Sequence, residues 1–359
     1  MNRLTAIGLA SLVAYGLLIT SKYMGVVSAA HDEPGARALG HQRVGEAITF
    51  PPAAEPRQTT LDFPAPLPRA ERMRSTPAAI EFRAARDLKA YADALSARRA
   101  SLTGDERYHL AKALEECQFT TTISEDLGAY SAKQRRQFLA SLPAGDPLNP
   151  KRVAAYEAVD NTQRCLRFQG AKVSAKEIED LFQQAAQQGD ARAQARLLVA
   201  ELNKNLNTNA RGDSQSARVG GDDFSRIVTL LESRDPEAMM IVGQFLAQSA
   251  MASQLRVGPN GEVPEPSAFL GAFSLVACDL ERDCQALSRE PQLACAYGSY
   301  CDTSTFETLY QNFLASPWTY LQAVRYRNLI HSAVDTGNWA LIGLTPQTAS
   351  TTSTPPGGH

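Results

Sequence analysis

The sequence predicts an all-α protein of stacked antiparallel helix hairpins, α-solenoid-like and braced by disulfides. Three observations carry this reading. Along the middle of the chain, a helix, a tight turn built on Gly, Asp or Asn, and a second helix recur. No stretch there alternates apolar and polar residues with the period of two that a half-buried strand needs. Six cysteines, an even number, stand in a 359-residue chain that opens on an apolar run. That combination is expected of a protein folded in an oxidising compartment.

The N-terminus sets the compartment. Met1 to Arg3 is a short positive region, and Leu4 to Ile19 is an uncharged apolar run of about the length of a signal-peptide core. Val27-Ser28-Ala29-Ala30 then offers small residues for cleavage. Residues 1–30 are therefore a cleaved signal peptide or a retained signal anchor. Extended through Val27, the run just spans a bilayer, with Lys22 snorkelling to the interface. Arg3 keeps the N-terminus in the cytoplasm and sends the rest out. The expected place is the periplasm, tethered to the inner membrane if the segment is retained.

Residues 31–75 are rich in Pro, Ala, Arg and Glu (FPPAAEPRQTT, FPAPLPRAE). Proline lacks the amide proton and restricts the residue before it, so this segment reads as a disordered, extended tether. Residues 345–359 (TPQTASTTSTPPGGH) read as a disordered tail. Between them lies the expected helical-repeat domain, 76–344.

The repeat is clearest from Leu181 to Val199, LFQQAAQQGDARAQARLLV. Gly189 can take the left-handed conformation that closes a helix, and Asp190 can cap the next one. The same grammar returns in Ile227 to Leu246, IVTLLESRDPEAMMIVGQFL, with Asp235 as cap and Pro236 at the first helical position. It appears earlier in Tyr91 to Leu114 with Gly104-Asp105 at the turn. A partial copy, His331 to Leu344, has Gly337-Asn338. No such hairpin buries its apolar stripe alone, so neighbours must stack. Two polar, Gly-bearing stretches, Asn203 to Asp223 and Val257 to Pro266, read as loops.

The last four cysteines are spaced Cys278-x5-Cys284-x10-Cys295-x5-Cys301, which leaves Cys117 and Cys165 as mates. The cluster reads as a duplication: Leu275-Val276-Ala277-Cys278 with Cys284 returns as Gln292-Leu293-Ala294-Cys295 with Cys301. Connectivity within it stays open. Zinc is the rival, but zinc knuckles usually place cysteines two to four residues apart, and no histidine is near. Disulfides are favoured.

Ala185-Ala186-Gln187-Gln188-Gly189-Asp190-Ala191-Arg192-Ala193-Gln194-x2-Leu197 resembles the centre of a Sel-like repeat, a relative of the tetratricopeptide repeat. The match is close in this hairpin and loose in the others, and the downstream glycine-rich turn is not evident after Leu198. The resemblance implies alanine-rich hairpins used as binding scaffolds. Phe273 to Cys301 is similar to a stretch of uncharacterised exported Gram-negative proteins with paired cysteines beside such hairpins. Neither resemblance supplies a catalytic residue.

A formal charge of −2 provides no field for nucleic acid, and none is expected as a partner. The chain has no G-x-S-x-G elbow, H-E-x-x-H, S-x-x-K or Walker A loop, so no catalytic residue, metal ligand or cofactor is assigned. His109 reads as a solvated or partly buried surface residue, and Glu115-Glu116 as a solvated face whose members point apart. Phe306, Tyr310 and Phe313 follow helical spacing and read as core. Trp318 and Tyr320, with Arg325 and Arg327, form a candidate recognition surface for a peptide or glycan. The expected function is a periplasmic interaction scaffold or binding module whose partner is an envelope protein or peptide. The alternative is an envelope enzyme of hydrolase type whose site no motif reveals.

Overall fold

A computed structural model describes residues 72–123, 126–209, 221–249 and 251–344. The expected signal or anchor, most of the tether and the whole tail lie outside these residues. The described residues are helical, with two isolated β-bridges and no strand. None of their helices is long and apolar enough to cross a membrane.

Most helices begin where a side chain answers their free amides, though Asn149–Val159, Ala175–Gln187 and Arg289–Gly298 start without a side-chain cap. Thr76 caps α1 (Pro77–Ala84) and Asp87 caps α2 (Leu88–Ser96). α3 (Gly104–Ile123) opens on a capping box, in which Thr103 and Glu106 exchange bonds at 3.2 and 2.8 Å. Gly104 and Asp105 therefore lie inside the first turn of α3 and not in the turn before it. Thr103 does the capping, which leaves the Asp105 carboxylate free for other partners. α4 (Leu127–Ser141), α5 (Asn149–Val159) and the short α6 (Asn161–Cys165) follow.

α7 (Ala175–Gln187) and α8 (Ala191–Asn209) form the clearest hairpin. Gly189 turns it with φ +85°, and the Asp190 carboxylate accepts from the Ala193 amide at 3.0 Å. α8 runs past Asn203, where a loop was expected, because Leu202 and Leu206 continue its buried face. α9 (Gly221–Glu232) and α10 (Pro236–Gln248) make the next hairpin, with Asp235 accepting from the amides of Glu237 and Ala238. Arg234, at φ +55°, takes the left-handed position that a glycine would fill more cheaply.

In the expected loop 257–266, Val257 and Glu262 exchange backbone bonds across a tight turn. α11 (Pro266–Leu280), α12 (Arg289–Gly298) and α13 (Phe306–Leu309) follow, and α13 runs into a π-helical turn, Tyr310–Leu314. α14 (Pro317–Thr336) ends at Gly337, φ +68°. The fourth hairpin expected at Gly337-Asn338 does not form. Asn338 makes no side-chain cap, and only the 3₁₀ turn Trp339–Ile342 follows before Gly343 ends it at φ +80°.

The helices pack in succession: α1 and α2 on α3, α3 on α7, α7 on α8, α8 on α10, α10 on α11, and α11 on α14. α5 and α12 form a separate pair to one side. Apolar side chains collect in two main clusters. One, around Leu88, Leu110 and Leu181, is built by α1 to α3 and α6 to α8. The larger, around Ile227, Met239 and Phe273, is built by α8 to α11 and α14. Between α10 and α11 the approach is close enough to demand glycine. A Cβ on Gly243 would stand 2.2 Å from the buried Phe273 ring.

Three disulfides brace the array. Cys117–Cys165 ties α3 to α6, Cys278–Cys284 closes the loop after α11, and Cys295–Cys301 closes the loop after α12. Beside the first, Arg164 donates to the carbonyls of Phe82 and Ala85 at the end of α1 and pairs with Glu116 at 2.9 Å.

Gly243→Ala is expected to destabilise by about 1–3 kcal/mol through overpacking. Denaturant titration checks this, and an unchanged midpoint would refute the close α10–α11 approach. In the chain-entropy picture, losing Cys117–Cys165, with 48 residues of separation, costs about 4 kcal/mol, and losing either bond spanning 6 residues about 2. Thermal melts of the three Cys→Ala pairs should rank in that order.

Candidate functional site

The three aspartates that sequence analysis placed at repeat turns converge on one side chain. Arg192, in the first turn of α8, donates to Asp105 of α3 at 2.6 Å and to Asp190 at 3.2 Å through Nε, with a second contact from Nη2 to Asp190. Its Nε also lies 3.9 Å from the Asp235 carboxylate, before α10. Its guanidinium sits 4.6 Å from the centre of the Tyr108 ring. Tyr108 in turn donates to Glu237 at 2.8 Å, and Lys112 pairs with that carboxylate. Thr76 donates to Asp105 at 3.0 Å.

His109 completes the cluster. It is 2 % exposed, with Nδ1 2.9 Å from the Asp105 carbonyl and 3.2 Å from its carboxylate. The expectation of a surface histidine is therefore corrected. The α3 face that carries it is covered by α1, and Phe82 lies 5.5 Å from the imidazole.

Burial and pairing oppose each other here. Burial alone would raise the Asp105 pKa, but the hydrogen bonds from His109 and Arg192 hold it well below the usual range. Burial works likewise on Glu237, and Lys112 wins, bringing it down to about 2. For Asp235 burial prevails over Arg192, and its pKa is raised. Burial would lower Arg192, but Asp190 raises it above its ordinary value.

Against this hub lies a cleft. Residues 72–75, expected as the end of the tether, form a strap across the loop after α11. The Met73 amide donates to the Leu280 carbonyl at 2.7 Å, and the Arg282 amide donates back to Met73 at 3.0 Å, a parallel bridge of Met73 with Glu281. The tether boundary is thus earlier than residue 75: backbone pairing of so short a piece leaves no periodicity to read. Glu281 is buried and saturated. It accepts from Ser75 at 2.6 Å and from the Ala286 amide at 2.6 Å, and lies 3.6 Å from Arg83.

The cleft beside the strap has a volume of ≈ 560 Å³ and is lined by Arg74, Arg83, Arg282 and Asp283, with Ile80 and Ala84 as its apolar part. Ile80 is 55 % exposed. A narrower crevice of ≈ 40 Å³ shares Arg74, Ser75, Arg83 and Glu281 with it and reaches Arg192, Asp235 and Glu237. Among the described residues, no group of three or more His, Cys, Asp or Glu side chains is placed to hold a metal ion.

The other sequence-derived candidates are dispersed. Trp318 stands exposed on the first turn of α14, while Tyr320 is half-buried near Tyr310. Arg325 pairs with Glu262 at 2.8 Å, and Arg327 pairs with Asp279 and Glu307. His331 also meets Asp279, at 2.8 Å, so these charges tie α11 to α14. Phe306 and Tyr310 are buried, whereas Phe313 is exposed and stacked on Tyr300. Glu115 and Glu116 do point apart, but neither faces solvent alone: Glu115 pairs with Arg196, and Glu116 with Arg164 and Arg289. Arg74, Arg282 and Glu281 were not singled out from the sequence. The Thr76-Pro77 helix start is the local signal that could have placed ordered chain nearby. No known family, curated protein or solved structure matches the chain.

Arg192→Met should cost about 3–5 kcal/mol, since it strands three carboxylates that burial penalises. Glu237 has a depressed folded pKa, so its contribution is full above its ordinary value of 4.5 and is lost as pH falls towards about 2. Asp235, raised by burial, acts in the opposite sense and offsets part of this loss. Chemical denaturation from pH 5 to 2 should show steeper loss in the wild type than in Glu237→Gln. Parallel curves would refute the pairing.

Proposed function

We propose that this protein is a binding module of the bacterial envelope, exported and braced by its disulfides, that holds a segment of a partner protein in the strap-side cleft. The successive packing of α3, α7, α8, α10, α11 and α14 supports an α-solenoid-like stack of Sel-like hairpins. The apolar N-terminal run and the pairing of all six cysteines support the periplasm, with or without an inner-membrane tether.

The observation that carries the reading is the contrast between the cleft and its surroundings. Every charge of the hub has a partner. At the cleft, Arg74 and Arg282 make no ion pair among the described residues, and they stand beside the exposed Ile80 in an open volume within the usual range for ligand sites. Unpaired arginines beside apolar surface in one open volume favour recognition. The surface around Trp318 is weaker, because Arg325 and Arg327 are already engaged.

The enzyme alternative draws on the oppositely shifted Asp235 and Glu237, a pattern that suits acid–base work. Both face a crevice of only ≈ 40 Å³, which admits water but no sugar or peptide. Asp235 is also committed to capping α10, and Glu237 to Lys112 and Tyr108. Binding is the better-supported reading.

A photo-crosslinking residue at position 80 in the full chain, expressed in intact cells, should capture a discrete envelope protein that the same probe at position 318 does not. Alkylation before lysis should find all six thiols blocked. Equal capture from both positions, or alkylatable thiols, would overturn the proposal.

A further inference from the structure

We propose that the cleft recognises the C-terminal end of a polypeptide: its α-carboxylate is held between Arg74 and Arg282, and its last, apolar side chain lies on Ile80 and Ala84. This rests on the reading of the cleft as a binding site.

The register of the strap carries the argument. Met73 pairs with Glu281, and the Arg282 amide bonds the Met73 carbonyl at 3.0 Å. One residue further along each segment stand Arg74 and Arg282, and both line the cleft. Like charges at neighbouring positions across a backbone bridge repel. Elsewhere in the fold such cost is met by a carboxylate, as Glu116 stands between Arg164 and Arg289. Here none does so. Glu281 is already consumed by Ser75, the Ala286 amide and Arg83. Asp283 is the one other acid of the lining, and it is exposed and makes no ion pair among the described residues. Arg74, Arg83 and Arg282 against Glu281 and Asp283 leave the lining of one open volume with an excess positive charge, and two of its arginines make no ion pair among the described residues, which is complementary to an added oxyanion.

The apolar part of the lining narrows the ligand class. Ile80 is 55 % exposed and shares the cleft with the arginines. A free inorganic anion makes no use of it. The last residue of a polypeptide supplies both groups from one carbon: a carboxylate and, a bond away, an apolar side chain. Capture of a terminal carboxylate is an established mode of peptide recognition.

The test uses the full chain and fluorescein-labelled hexapeptides ending in leucine, valine or phenylalanine, each with a free or an amidated C-terminus. Fluorescence anisotropy should show binding of free-acid peptides, weakened tenfold or more by amidation. Arg74→Glu and Arg282→Glu should each weaken it about as much. Both side chains are exposed, and an unchanged thermal melt shows that each variant folds. Ile80→Ser should weaken binding several-fold and erase the preference for large apolar ends. Inorganic phosphate at millimolar concentration should compete only weakly. Equal affinity for acid and amide, or phosphate displacing peptide as well as peptide itself does, overturns the inference. If crosslinking from position 80 still captures a partner, the cleft remains a binding site and only the ligand class is wrong. If neither peptide nor partner is found there, both readings fail.

Discussion

The constraint on which the rest of this fold depends is the charge balance at Arg192. One guanidinium meets carboxylates from the starts of three helices, α3, α8 and α10. Two of those carboxylates, Asp190 and Asp235, also cap the helices they precede, so the geometry that ends one helix pair's disorder also sets its distance from the next. A fork of planar donors can satisfy several acceptors in fixed directions, which a lysine ammonium on a flexible stem cannot. Buried charges are costly unless fully partnered, and so the three helix starts are held within a few ångströms of one point. Apolar packing between alanine-rich helices tolerates sliding far better than this does.

The cleft is a consequence of that arrangement. Thr76 caps α1 and also donates to Asp105, so the start of the described chain is pinned to the hub. From there the strap runs towards the end of α11, where Met73 bonds the backbone of the loop closed by Cys278–Cys284. Glu281 sits on that loop and bonds Ser75, which fixes the strap from its other side. The disulfide thereby does more than restrain the unfolded chain: it shapes the loop that carries Glu281, Arg282 and Asp283. Arg74 and Arg282 face open space because the two segments carrying them are tied at Met73 and not at their side chains.

How much of this was legible beforehand follows from which interactions are local. Caps act within a few residues, so Asp190 and Asp235 could be read directly, and Gly189 announced its left-handed turn. Asp105 was placed a residue or two wrong because Thr103 and Glu106 outcompete it for the free amides of α3. The turn at Gly337 was real, but its second helix was not, since nothing in HSAVDTGNWALIGL reveals that Gly343 will end the turn so soon. The convergence of the three aspartates is a long-range fact, spanning 130 residues of chain from Asp105 to Asp235, and no spacing rule encodes it. The burial of His109 and the pairing of Glu115 and Glu116 were missed for the same reason. Each depends on which neighbour covers α3.

A protein whose charges are nearly balanced overall can still be strongly unbalanced in one place, and that difference separates scaffold from site. In the hub, Asp105, Asp190, Asp235 and Glu237 all lie within ion-pair reach of Arg192 or Lys112, and the depressed pKa values of Asp105 and Glu237 record how fully those two have been answered. Between α11 and α14 the same holds: Asp279 is buried, yet His331 and Arg327 hold its pKa below the ordinary value. These clusters explain why the helices sit where they do, and they leave no capacity for a ligand. Beside the strap the accounting stays open: among the described residues Arg74 and Arg282 make no ion pair, and they line one cleft together. Stability selects for closed networks, because an open one costs free energy in the isolated protein. An open pair maintained on two segments that the fold takes trouble to tie together is therefore better explained by what arrives there than by what it does for folding.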